Sequence, residues 1–112
     1  MAKYLAVDST SLVIANGATT STAITLPSNK RLMAIQTPSA LTGTTFTFES
    51  SSNGGTTYVP VYNESTAYSV TVSTSRHIRL NGEVFDGCAV VRIVSGSAEG
   101  ASRTIIALIG EA

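Results

Sequence analysis

Apolar and polar residues alternate by two along most of the chain, and no helical period is sustained over ten residues. The pattern is plainest in "TTFTFES" (44–50), where Phe46 and Phe48 take one face and Thr45, Thr47 and Glu49 the other. "SLVIA" (11–15) predicts a short apolar strand stopped at Asn16-Gly17. "TTSTAITL" (19–26) predicts a second strand with Thr20, Thr22, Ile24 and Leu26 on one face, ended by Pro27. "RLMAIQT" (31–37) is apolar on both faces, as a strand inside a sheet is. In "AYSVTVS" (67–73), Tyr68, Val70 and Val72 oppose Ser69, Thr71 and Ser73, and "RHIRL" (76–80) points Ile78 and Leu80 inward.

The punctuation between these runs is turn chemistry. Asn53-Gly54-Gly55 tolerates positive φ, so "FESSSNGGTTYVPVY" reads as strand, turn and return strand. Pro60 lacks a backbone donor, which assigns the return strand to an edge or a bulge. "NGEVFDG" (81–87) predicts a turn or one short helical turn whose Val84 and Phe85 plug the core. "CAVVRIVS" (88–95) and "RTIIALI" (103–109) predict a closing hairpin around "GSAEGAS". With Ser95 opposite Ser102, that hairpin puts Val90, Arg92, Val94, Arg103, Ile105 and Ile109 on one face. An aliphatic face carrying arginines has the composition of an interface. It is covered either by a partner or by another part of the same chain.

Eight or nine short strands at this spacing predict an all-β, single-domain antiparallel β-sandwich, jelly-roll-like, spanning residues 1–112. Residues 1–8 form a candidate N-terminal arm. Either Tyr4, Leu5 and Val7 dock on a partner surface by adding a strand to it, or the segment pairs within its own sheet.

Composition narrows the chemistry. Charged residues make up 12% of the chain, about half of the usual share of ~25%, and seven basic residues cancel seven acidic ones. Such a chain lacks the field of a nucleic-acid binder, which leaves "KR" (30–31) and "RHIR" (76–79) as solvated faces or intersubunit pairs. In place of charge there are 15 Ser and 16 Thr, neutral groups that keep close-packed copies hydrated without repulsion. His77 is the single histidine and Cys88 the single cysteine, so neither a zinc site nor an intrachain disulfide is expected. His77 reads as a solvated strand residue and Cys88 as a small core residue. No serine elbow, calcium-loop spacing or phosphate-cradling glycine loop accompanies them, and the expectation is no catalytic residue, no cofactor and no metal. The opening "MAKYLAVDS" falls short of a signal peptide and no segment has the ~20 apolar residues of a membrane span, so no membrane association is expected.

Three stretches carry a resemblance: "FTFESSSNGGTTYVPVY", "YSVTVSTSRHIRLNGEVFDGCAVVRI" and "RTIIALIGEA". Over residues 31–109 the chain resembles the small all-β structural proteins of tailed-bacteriophage particles. In these an aromatic-rich strand enters a Gly-Gly-Thr turn, and a Phe-Xaa-Gly turn precedes a core strand. The resemblance implies a non-enzymatic virion protein, foremost a capsid decoration or cement protein. It would bind the major capsid protein outside the head as a homo-oligomer, a homotrimer by preference, and would be made in the host cytoplasm. The alternative is a tail- or head-fibre domain binding host-surface carbohydrate or receptor, with Tyr58, Tyr62 and Tyr68 as stacking candidates.

Overall fold

The computed structural model describes residues 7–28 and 30–111, so Tyr4, Leu5 and most of the candidate arm lie outside the described residues. The first strand, β1 (Val7–Ile14), begins before the stretch expected for it. It is followed by β2 (Thr20–Thr25), β3 (Lys30–Gln36), β4 (Thr45–Ser51), β5 (Val59–Pro60), β6 (Tyr62–Asn63), β7 (Thr66–Ala67), β8 (Ser69–Thr71) and β9 (His77–Arg79). One turn of 3-10 helix (Gly82–Phe85) precedes β10 (Val90–Ser95) and β11 (Arg103–Glu111). Among the described residues, nine strands make one antiparallel sheet in the order β5-β4-β10-β2-β1-β11-β3-β9. β8 shares the outer edge of β4 with β5, and β6 with β7 forms a separate small hairpin.

The sheet curls because its middle is thin. β1 runs beside β11 from Val7↔Gly110 to Ile14↔Arg103, but meets β2 at the single pair Ile14↔Ser21. The chain turns between them through Gly17, whose φ of 82° suits a residue without a Cβ. The halves on either side close over one core like a half-barrel. Leu12, Ile14, Leu32, Ile35, Ile105, Ala107 and Ile109 come from one half, and Ile24, Phe46, Phe48, Val91 and Ile93 from the other. Phe85 plugs the core as expected, its ring edge-on to Phe48 at 5.1 Å and to Tyr68 at 5.8 Å. The architecture is an all-β single domain.

The expected closing hairpin does not form. β10 lies between β2 and β4, whereas β11 lies between β1 and β3, in the opposite half of the sheet. The supposed common face had joined the outward side of β10 to the inward side of β11. Consequently Ile105 and Ile109 are core residues, 0% and 7% exposed. The face assigned to β2 also changes. A bulge between Arg92 and Val94 shifts its register, so Ser21 and Ile24 turn inward and Thr22 outward. The inward hydroxyl of Ser21 accepts from the Ile93 amide at 2.9 Å and donates to the Thr22 carbonyl at 2.7 Å, which satisfies groups that the bulge leaves without ladder partners.

Candidate functional site

Among the described residues, a dense polar cluster is built around a buried acid in the loop that follows β10. Glu99 lies in the loop between β10 and β11 and is 1% exposed. Its Oε1 accepts from the Thr42 amide at 2.8 Å and from Arg103 Nε at 2.9 Å. Its Oε2 accepts from the Gly43 amide and from Ser95 Oγ, each at 2.9 Å. The Glu99 backbone also exchanges bonds with Gly17 and Ala18, so one residue ties three loops to the end of the core. Gly43 is required there because a Cβ would overlap Ser95 Oγ. Burial raises the carboxyl's pKa, but the four donors outweigh it and hold the group at about 2. With its lone pairs engaged and no proton to give, this carboxylate acts as a structural anchor rather than an acid or base.

The nine residues singled out for an interface therefore separate. Val90, Arg92 and Val94 share the outward face of β10, where Val90 is buried and Arg92 and Val94 are partly buried. Arg92 is bound within the chain, bonded to Glu49 at 2.7 Å and lying 3.7 Å over the Tyr58 ring. Arg103 points into the Glu99 cluster, and Ile105 and Ile109 into the core. Val7 pairs through its backbone with Gly110, while Tyr4 and Leu5 are outside the described residues. Of the tyrosines, Tyr58 stacks on Arg92, and Tyr68 packs in the aromatic cluster with its hydroxyl accepting from the Asn81 amide at 2.9 Å. Tyr62 remains 53% exposed.

The open surface has a concavity at the β3–β9 end of the sheet. A groove of about 800 Å³ is lined by Arg31, Met33, His77, Arg79, Glu83 and Leu108, among others. Arg31 holds Asp86 at 2.8 Å, and Gly82 packs against its methylene stem. Lys30 of the "KR" stretch pairs with Asp8 of the same chain at 3.5 Å. His77 is exposed, with Nδ1 3.0 Å from Gln36 Nε2. Among the described residues no group of three His, Cys, Asp or Glu side chains is placed to hold a metal ion. Asn81, rather than either nearby acid, caps the 3-10 turn by accepting from the Glu83 amide.

Comparison with family models, curated proteins and solved structures finds no match to this chain. The functional reading therefore rests on the surface and on the resemblance carried by residues 31–109. Glu99 could have been noticed from one signal alone, the placement of Arg103 four residues after it in a loop of small residues.

Proposed function

We propose that the protein is a non-enzymatic virion structural protein, a decoration or cement protein on the outside of a tailed-bacteriophage head. In this role it binds the major capsid protein and stabilises neighbouring capsid subunits as a homo-oligomer, by preference a trimer. The observation that carries the reading is the neutral, hydroxyl-rich surface. Ser9 and Ser11 of β1, Thr22 and Thr25 of β2, and Ser69 and Thr71 of β8 are all exposed. Lys30, Arg31, Arg92 and Arg103 are meanwhile matched by acids of the same chain. Such a surface packs beside identical copies without charge repulsion, and the buried Glu99 cluster supports a domain that keeps its loops fixed.

The same reading takes the two halves of the sheet as facing layers of a jelly-roll-like sandwich. The shortest molecular extent, 24 Å, fits two sheets ~10 Å apart with their outer side chains. The fibre-associated, carbohydrate-binding alternative needs an aromatic platform. With Tyr58 and Tyr68 engaged internally, Tyr62 would have to serve alone.

The test is addition of the purified protein to phage heads stripped of it. Saturable co-sedimentation with the heads, and a rise in the temperature at which they release DNA, are expected. Failure to bind heads, together with retention on immobilised host-surface carbohydrate, would replace this reading with the alternative.

A further inference from the structure

The pair Asn-Gly occurs three times, at Asn16-Gly17, Asn53-Gly54 and Asn81-Gly82, and each asparagine is exposed. Glycine has no Cβ to crowd its backbone nitrogen, which can therefore reach back to the asparagine side-chain carbonyl and close a five-membered ring. The fold decides whether that happens. It can leave the nitrogen free or bound, the carbonyl polarised or not, and the peptide able to turn or held.

At Asn16 and Asn81 the fold opposes ring closure. Gly17 N donates to the carbonyl of the buried Glu99 at 2.7 Å, so attack by that nitrogen would strand a buried acceptor. Asn81 is held on both sides, its amide donating to the Tyr68 hydroxyl at 2.9 Å and its carbonyl accepting from the Val84 amide at 3.1 Å. Gly82 opens the 3-10 turn and packs so closely on Arg31 that a Cβ would overlap Cδ. The Asn81 side-chain oxygen has one donor among the described residues, the Glu83 amide at 3.3 Å. Asn53-Gly54 differs on every count. Gly54 is exposed at φ 76°, a Cβ on it would meet nothing within 4 Å, and its N–H makes no hydrogen bond among the described residues. Asn53 Oδ1 accepts from the Ser51 hydroxyl at 2.8 Å and from the Thr57 amide at 3.0 Å. An N–H can only donate, so the atom facing Thr57 is the oxygen and the NH2 group points elsewhere. Two donors on this oxygen draw electrons from its carbon, and they sit where negative charge gathers when that carbon is attacked.

We propose that Asn53 is a site of self-modification, converted to aspartate and isoaspartate through a succinimide formed with Gly54. Hydroxide from the solvent takes the Gly54 amide proton, and the nitrogen attacks Asn53 Cγ to form a new N–C bond. The Ser51 hydroxyl and the Thr57 amide hold the oxyanion that develops at Oδ1. As the carbonyl re-forms, the Cγ–Nδ2 bond breaks and the nitrogen leaves with a solvent proton as ammonia. Water then opens the ring at one of its two carbonyls. One opening gives aspartate; the other gives isoaspartate, whose main chain runs through Cβ and Cγ. Either product adds a carboxylate, so seven basic residues face eight acidic ones and the formal net charge falls from zero to −1. Aspartate keeps an oxygen for Ser51 and Thr57, whereas isoaspartate lengthens the turn that these bonds close.

The experiment is incubation of the folded protein at pH 8 and 37 °C, followed by peptide mapping and enzymatic detection of isoaspartate. The peptide containing Asn53 should gain the mass of deamidation first. Asn16 and Asn81 should lag by about tenfold or more, since each must first break hydrogen bonds of the fold. In guanidinium chloride the three pairs should react at similar rates, which assigns the ranking to the structure. Ser51→Ala separates polarisation from flexibility. Loss of the donor should slow Asn53 by about tenfold, less than a buried oxyanion donor would because the turn is open to water. A merely loosened turn would speed it instead. The wild-type ranking tests the proposal even where Ser51→Ala does not fold. Conversion of Asn16 or Asn81 as fast as Asn53 in the folded wild type would overturn the proposal. So would a folded Ser51→Ala chain in which Asn53 reacts at the wild-type rate or faster.

Discussion

At residue 99 a single carboxylate receives two backbone amides, a hydroxyl and a guanidinium inside the protein, which couples its ionisation to folding. Its pKa falls from 4.5 in the reference state to about 2 in the fold, because four donors favour the charged form more than burial opposes it. For a depressed carboxyl, the stabilisation is fully present above the unfolded value and is lost as pH falls through the folded one. The window therefore runs from about pH 5 down to about pH 2, and the shift corresponds to on the order of 3 kcal/mol. Urea melts of the wild type should weaken steadily across that window. Glu99→Gln should be less stable at pH 7, since a neutral amide cannot match Arg103 and its NH2 sets a donor against the amide of either Thr42 or Gly43. Its stability should also be much flatter below pH 5. A variant retaining the full acid dependence would show that other carboxylates carry it.

At the scale of the element, the same residue explains what the sequence could and could not disclose. The faces of β4, the Asn53-Gly54-Gly55 turn and the plug formed by Phe85 are set by neighbours in the chain. Alternation and turn chemistry therefore reveal them directly. The turn is closed by its own side chains: Ser51 Oγ accepts from the Gly55 amide at 2.9 Å, and Asn53 Oδ1 from the Thr57 amide at 3.0 Å. The partners of β10 and β11 are set by distant strands, and nothing in the loop "GSAEGAS" distinguishes a hairpin from a crossing between the two halves. What decides it is Glu99, whose carboxylate draws the loop onto Thr42 and Gly43, and a single acid in a polar loop gives no periodic signal. The bulge opposite Ile93 hid the inward face of β2 in the same way, by inserting a residue that alternation alone does not locate. Ile105→Asp tests the corrected placement. On the outward side of a hairpin it would alter only association; in the core it buries an unpaired charge at a site of 0% exposure. Circular dichroism should show loss of the folded β signal at 25 °C. A folded variant would return β11 to the surface.

Across the whole molecule the question is whether two half-sheets joined by one registered pair behave as one unit. The join at Ile14↔Ser21 is worth little by itself, because an intramolecular hydrogen bond contributes about 1 kcal/mol net. The shared core weighs far more. Leu12, Ile14, Ile35 and Ile105 from one half pack in the same cluster as Phe46, Phe48, Val91 and Ile93 from the other, and each is 0% or 1% exposed. Full burial of such side chains is worth about 1.5–3 kcal/mol apiece, so separating the halves would forfeit many times the energy of the join. Unfolding should therefore be a single transition. Two probes report on opposite sides of the join in a Tyr4→Phe variant: its tyrosine emission follows Tyr58, Tyr62 and Tyr68 around β4, and amide exchange follows Ile105, Ala107 and Ile109 in β11. Their denaturation midpoints should coincide, with exchange in β11 occurring only through global opening. Loss of tyrosine packing at a lower denaturant concentration than the β11 amides would mean that the thin join, and not the common core, sets how the fold comes apart.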